Sequence, residues 1–238
     1  MTTTVKLALA NAEVNRLFTR KLPDGTRFYD AMMQKVSALL THAQEQHVYA
    51  LRDLGNIQAA IQLLTNQLDD NCDQFEAVLE KKKQTRGKAF TFEARFHPSV
   101  RFSNRIAVDL VELFETYDTL LSTLKLLRTA GCFANDDDYF NNVRRYFKLV
   151  NQLLSQILLT PVKTQPTITF ADVIDNAEAY QQVAIVHGAI DCAWLYRAMT
   201  SNLAPRLRES IRQPLLYRLN KRIQVITDPV DHQPQEVH

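Results

Sequence analysis

A chain of 238 residues with 46% hydrophobic and 23% charged side chains has ample apolar material for one large or two small globular cores. Its 5 glycines and 8 prolines are too few for the many tight turns of a sandwich or barrel, and they point to a mainly helical protein. The net charge of +2 excludes little by itself; the positive charge is bunched, in Lys81, Lys82, Lys83, Arg86 and Lys88 and again between Arg206 and Arg222. Cys72, Cys132 and Cys192 show no CxxC or Cys/His spacing, so neither a zinc site nor a disulfide framework is implied. No apolar run approaches the ~20 residues that cross a bilayer, and the first residues lack a signal-peptide pattern. The expectation is a reduced, cytoplasmic protein with no membrane partner, no metal and no cofactor.

In chain order, residues 1–22 are weakly patterned and read as a flexible N-terminal arm. Pro23-Asp24-Gly25 is a turn. Residues 23–86 carry helical periodicity, expected as two helices broken near Gly55. In the second, Ile57, Ile61, Leu64, Leu68, Cys72, Phe75 and Leu79 recur at steps of three and four, as a buried face or a coiled-coil seam does. Lys81 to Lys88 closes that helix, where cations suit the dipole. Residues 87–160 are expected to hold a ribbon plus helices. One amphipathic helix, capped at Ser103, carries Ile106, Leu110, Leu113, Phe114, Tyr117, Leu120, Leu121, Leu124 and Leu127 to Gly131. Another starts at Asn135-Asp136-Asp137-Asp138 and runs to about Leu159. Residues 161–226 form a C-terminal helical region. It has one helix from Thr169 or Asp172 to about Met199, and a basic helix from Pro205 that Pro214 divides or kinks. Residues 227–238 are polar and expected to be disordered.

The segment Phe90 to Phe96 alternates apolar Phe90, Phe92, Ala94 and Phe96 with polar Thr91, Glu93 and Arg95. That is the period of a half-buried strand. A single strand leaves its backbone groups unsatisfied, so the residues 90–96 predict pairing with the same strand of a second subunit. Phe90, Phe92, Ala94 and Phe96 would form the dimer ribbon core, and Thr91, Glu93 and Arg95 would face outward. A two-stranded ribbon of this kind fits the major groove of double-stranded DNA. Thr91, Glu93 and Arg95 are then candidate base readers, with Arg95 suited to guanine and Glu93 to cytosine. Lys81, Lys82, Lys83, Arg86, Lys88, Arg101 and Arg105 bracket the strand and suit phosphate contact.

The stretches Phe102-Ser103-Asn104-Arg105, Tyr117-Asp118, Leu127-Arg128-Thr129-Ala130-Gly131 and Ile168-Thr169-Phe170-Ala171-Asp172-Val173 carry a family likeness in their order and spacing. They resemble the AcaB-like family of transcriptional activators carried by conjugative plasmids and integrative elements, over about residues 90–205. The resemblance implies a ribbon-helix-helix type DNA-binding homodimer that activates transfer genes at promoter DNA; in this chain it would carry large helical extensions, which either hold the dimer or present a surface to RNA polymerase. It also implies a phosphate clamp around Ser103 and Asn104. Two features depart from the family pattern: the unit sits inside a large helical protein, and no glycine turn divides Ser103–Gly131 into two helices.

Two other classes compete. An enzyme finds no HExxH, P-loop, GxGxxG or GxSxG. His42 and His47 lack a third ligand nearby in sequence, and the helix start at Asn135 explains the acidic run Asp136 to Asp138. The expectation is therefore not an enzyme. A helical adaptor or scaffold of a conjugation system accounts for the helices and the seam but leaves the alternating segment without a role beyond dimerisation.

Overall fold

The computed structural model describes residues 3–86, 92–102, 104–162, 166–201 and 207–227. It forms two compact units. The first comprises Met1–Ala38 and Asn56–Thr160, the second Leu39–Gly55 and Pro161–His238. Two helices, α2 (Phe28–Gln44) and α3 (Val48–Arg86), contribute residues to both. The tail beyond 227 lies outside the described residues, as does Pro205.

In the first unit the central element is α4 (Arg105–Thr129). It is apolar on more than one face, and Ile106, Leu110, Phe114, Tyr117, Leu121 and Leu124 are all buried. The predicted stripe is thus the core. α3 runs parallel to it: Gln58 Nε2 donates to Asp109 Oδ2 at 2.8 Å, and fourteen residues further along both helices Cys72 Sγ lies 3.5 Å from Thr123 Oγ1. The seam residues Ile57, Ile61, Leu64, Leu68, Cys72 and Leu79 are buried against this chain, as an ordinary core face. α5 (Asp136–Leu159) returns after a short turn, and Tyr146 on it donates its hydroxyl to Asn71 Oδ1 of α3 at 3.1 Å. Asn135 caps α5 by accepting from Asp138 N, and the three aspartates of the first turn suit the helix dipole, as expected.

The break between α2 and α3 falls at Glu45–His47, where Gln46 takes φ 70°, and not at Gly55. One interior glycine costs about 1 kcal/mol, which a helix of 39 residues absorbs.

The first 22 residues are not a loose arm. They supply β1 (Thr3–Lys6) and α1 (Ala12–Thr19), and they bury Leu7, Leu9, Val14, Leu17 and Phe18. Asp118 of α4 pins them: its carboxylate accepts from Ala10 N at 2.8 Å and Asn11 N at 2.9 Å. Asn11 Nδ2 donates to the Asp118 carbonyl and to Ser122 Oγ, while Lys125 Nζ donates to Asn11 Oδ1. β1 pairs antiparallel with β2 (Ser99–Phe102), Thr3 opposite Phe102 and Lys6 opposite Ser99.

The second unit holds α6 (Phe170–Asp175), α7 (Glu178–His187), α8 (Cys192–Thr200) and α9 (Glu209–Thr227). The single helix expected from Thr169 to Met199 is three. Asn176 in the left-handed region ends α6, Gly188 at φ 82° ends α7, and Asp191 caps α8. Thr169 and Asp172 form a reciprocal capping box, and Thr169 also makes an antiparallel bridge with His47. Much of the basic tail is consumed here: Arg218 pairs with Asp175, Arg222 donates to the Ile174 carbonyl, and Arg212 lies 3.9 Å from Glu209. Pro214 sits inside α9 without dividing it.

Two outcomes test this fold. Asp118→Ala strands buried donors and is expected to cost about 3 kcal/mol in urea unfolding. A thiol reagent should titrate half-buried Cys132 first. Cys72 and Cys192, buried and with thiols pushed up by that burial, should react only on denaturation.

Candidate nucleic-acid interface

The antiparallel register continues beyond the strands proper. Leu7 N donates to Pro98 O, Leu9 N donates to Phe96 O, and Phe96 N donates back to Leu9 O. Residues 3–9 therefore run beside 96–102 as one two-stranded ribbon. Pro98 has no N–H to return to Leu7, which thins the ladder there. Alternation gives the ribbon two faces. Inward lie buried Leu7, Leu9 and Val100 with half-buried Phe96, Pro98 and Phe102. Outward lie Thr4, Lys6 and Ala8 from one strand and His97, Ser99 and Arg101 from the other, all exposed. Arg95 continues that outward series and is also exposed. Three cations and no carboxylate occupy this face.

The ribbon is not the one expected. Phe90 and Thr91 lie outside the described residues, and residues 92–95 form no strand. Phe92, at 45% exposure, and Ala94 face solvent rather than a core, and so does Glu93. Only Phe96 keeps its inward side. The reason is the partner: the neighbouring chain leaves the ribbon after Leu9, because Ala10 and Asn11 turn onto Asp118. Ahead of Phe96 only Arg95 N still reaches the Leu9 carbonyl, at 2.9 Å. The β2 strand finds its partner in its own chain, so its unpaired backbone no longer demands a second subunit.

The candidate phosphate contacts separate. Lys81 is exposed and Lys82 half-buried in the last turns of α3, which also contains Lys83 and Arg86; Lys88 and Ser103 lie outside the described residues. Because α3 and α4 run parallel from the level of Gln58 and Asp109, Lys81 and Lys82 lie on the order of 40 Å along the bundle from Arg105. They do not bracket the ribbon. Asn104 is spent on capping α4, its side chain accepting from Ala107 N at 2.9 Å. Arg105 Nε lies 2.7 Å from Asp109 Oδ1, a buried carboxylate that needs a cation. Among the described residues of the predicted phosphate group, Arg101 is the one that joins Arg95 at the ribbon. Glu93 and Arg95 form no ion pair among the described residues.

Thr4, Lys6, His97 and Ser99 escaped the sequence reading. The signal was there for the first two: Thr4-Val5-Lys6-Leu7-Ala8-Leu9 alternates as a strand does. Elsewhere Arg144, Arg145 and Lys148 form an exposed basic stretch of α5, with Arg145 5.6 Å from the Tyr146 ring. Among the described residues no three His, Cys, Asp or Glu side chains converge as a metal site, and no helix is long and apolar enough to cross a membrane.

Among the described residues, the class defined is a mostly helical protein with one small two-stranded antiparallel sheet. No family model matches the sequence, and no curated protein matches it. Among solved structures, the chain is similar to the crystal structure of selenomethionine-containing AcaB from uropathogenic E. coli. The identity is 12% and the TM-score 0.49, covering 80% of this chain and 92% of that one.

Because Asn104 is a structural cap, Asn104→Ala should lower stability by about 1 kcal/mol in chemical denaturation, with Asn104→Asp close to neutral.

Proposed function

We propose that this protein is a DNA-binding regulator of transcription that presents the outward face of its β1–β2 ribbon to the major groove. The observation that supports this most directly is the ribbon itself. Its inner face is anchored in the core, while Lys6, Arg95 and Arg101 stand together outside with polar Thr4 and Ser99 and no acid. A ribbon of two strands has the width that the groove admits. In this reading Arg95 and Arg101 reach guanine O6 and N7 or adjacent phosphates, Thr4 and Ser99 take either donor or acceptor edges, and Lys6 takes a phosphate. A homodimer would place two such ribbons on a pseudo-palindromic site. The protein acts without catalysis. Activation rather than repression rests on the family resemblance of Phe102–Arg105 and Ile168–Val173, and either outcome depends on where the site lies relative to the promoter and on contact with RNA polymerase.

A second reading, a helical adaptor of a conjugation system, is favoured by Phe140 and Phe147. They stand one heptad apart on α5 and are 42% and 41% exposed. An adaptor binds no DNA with sequence preference.

The two separate in a fluorescence-anisotropy titration of promoter fragments from the element that carries the gene, run across a salt series. Lys6→Ala and Arg101→Ala are expected to weaken binding several-fold, each flattening the salt slope by about 0.9 where a phosphate contact is lost. Arg95→Ala should narrow the gap between specific and random DNA by roughly 1–3 kcal/mol if it reads a base. The double change Lys81→Ala with Lys82→Ala should leave the isotherm in place. Equal weakening by the distal pair and by Arg101→Ala would sink the ribbon as reader.

A further inference from the structure

Beside the ribbon, between β2 and the first turns of α2, lies a cleft of about 550 Å³. It adjoins a second hollow of about 380 Å³ between α1, the start of α2 and residues 95–99. Arg27, Tyr29, Asp30 and Ser99 line both. Arg101 lines the first and Arg95 the second. Each volume is that of a small-molecule site.

The chemistry of the walls selects the ligand. Three guanidinium groups face one carboxylate, Asp30, which is already held by Arg27 at 2.7 Å. Arg95 and Arg101 have no ion-pair partner among the described residues. The ladder adds backbone donors. Leu9 and Phe96 exchange both hydrogen bonds, so the alternation turns the N–H groups of Ser99 and Arg101 away from β1, on the side of β2 opposite its partner strand. The first turn of α2, a helix of 17 residues, contributes the positive end of its dipole. Tyr29 supplies an independent sign. It is 94% buried, it lines both hollows, and its hydroxyl has no hydrogen-bond partner among the described residues, so the fold leaves this donor unused. Burial, reinforced by neighbouring Asp30, pushes the phenol's titration further above its ordinary range, so it stays a donor.

We propose that this cleft binds a phosphate group, through Arg27, Arg101 and the β2 backbone, with Arg95 closing the adjoining hollow and the Tyr29 hydroxyl completing the donor set. The site shares Ser99, Arg95 and Arg101 with the outward face, while Lys6 and Thr4 take no part in it. The phosphate belongs either to a small phosphorylated ligand or to the backbone of bound DNA.

Isothermal titration of the full chain with inorganic pyrophosphate, in phosphate-free buffer, tests the site. Saturable binding at one site per chain is expected, weakened at least tenfold in Arg101→Ala and several-fold in Tyr29→Phe. The phenol has no partner to lose, so Tyr29→Phe keeps the unfolding transition of the wild type, and its effect on binding is not one of folding. Lys148→Ala, on α5, should leave the isotherm unchanged. Absence of saturable binding, or equal weakening by Lys148→Ala, overturns the proposal. Adding a promoter duplex distinguishes the sources. Competition with pyrophosphate assigns the phosphate to DNA, and simultaneous binding assigns it to a free ligand; both uphold the cleft. Lys6→Ala should keep the pyrophosphate isotherm whatever it does to DNA, so failure of the DNA reading and failure of the cleft are separable results.

Discussion

The ribbon depends on one buried carboxylate. Asp118 accepts two consecutive backbone N–H groups from Ala10 and Asn11, and Asn11 returns its side-chain amide to the Asp118 carbonyl. That clasp fixes the residue at which the N-terminal chain leaves the ribbon, and so fixes which residues of 96–102 sit opposite which residues of 3–9. In a two-stranded ladder a slip of one residue exchanges the faces. Such a slip would push Leu7 and Leu9 into water and bring Lys6 against α4. The clasp and the apolar set therefore enforce the same register, and the outward position of Lys6 and Arg101 follows from both.

The same device recurs along α4. Its buried polar side chains each find a partner on a different element: Asp109 from Gln58 on α3 and Arg105 on α4 itself, Asp118 from the N-terminal segment, and Thr123 from Cys72 on α3. An apolar helix alone packs against its neighbours in several rotations and registers of similar energy. A buried carboxylate left without its partner is costly, so these contacts discriminate among those packings. The two on α3, fourteen residues apart on each helix, lock α3 and α4 in parallel alignment. That alignment carries Lys81 and Lys82 to the far end of the bundle.

What the sequence revealed was local. The helices of α4 and α5, the α3 seam and the Asn135 cap follow from periodicity and from residues a few positions apart. What it concealed was pairing across about a hundred residues. Phe90–Phe96 alternates more conspicuously than Ser99–Phe102, yet the strand forms where a partner lies alongside, and the partner is decided by Asp118, far from either in sequence. Thr4 to Leu9 alternates too, but six residues with one charge do not distinguish a strand from an irregular tail. The misplaced helix breaks have a similar cause. Gly55 signals a break that packing overrides, whereas Asn176 and Gly188 end helices because a left-handed residue is followed by a segment already tied down, at Tyr180 and Ile190, where the tyrosine hydroxyl accepts from Ile190 N at 2.8 Å.

The cations divide by what holds them. Arg105, Arg128, Arg218 and Arg222 each have a partner within the chain, a carboxylate or a carbonyl, and their positions are explained by the fold. Lys6, Arg95 and Arg101 have no ion-pair partner among the described residues and share one face of a ribbon that folds through its opposite face. Nothing in the packing requires them to be basic. Exposed like charges several ångströms apart repel by at most about 1 kcal/mol in water, a cost small enough to carry and one that an anion removes. A surface whose charge the fold neither uses nor neutralises is left available to an anion outside the chain.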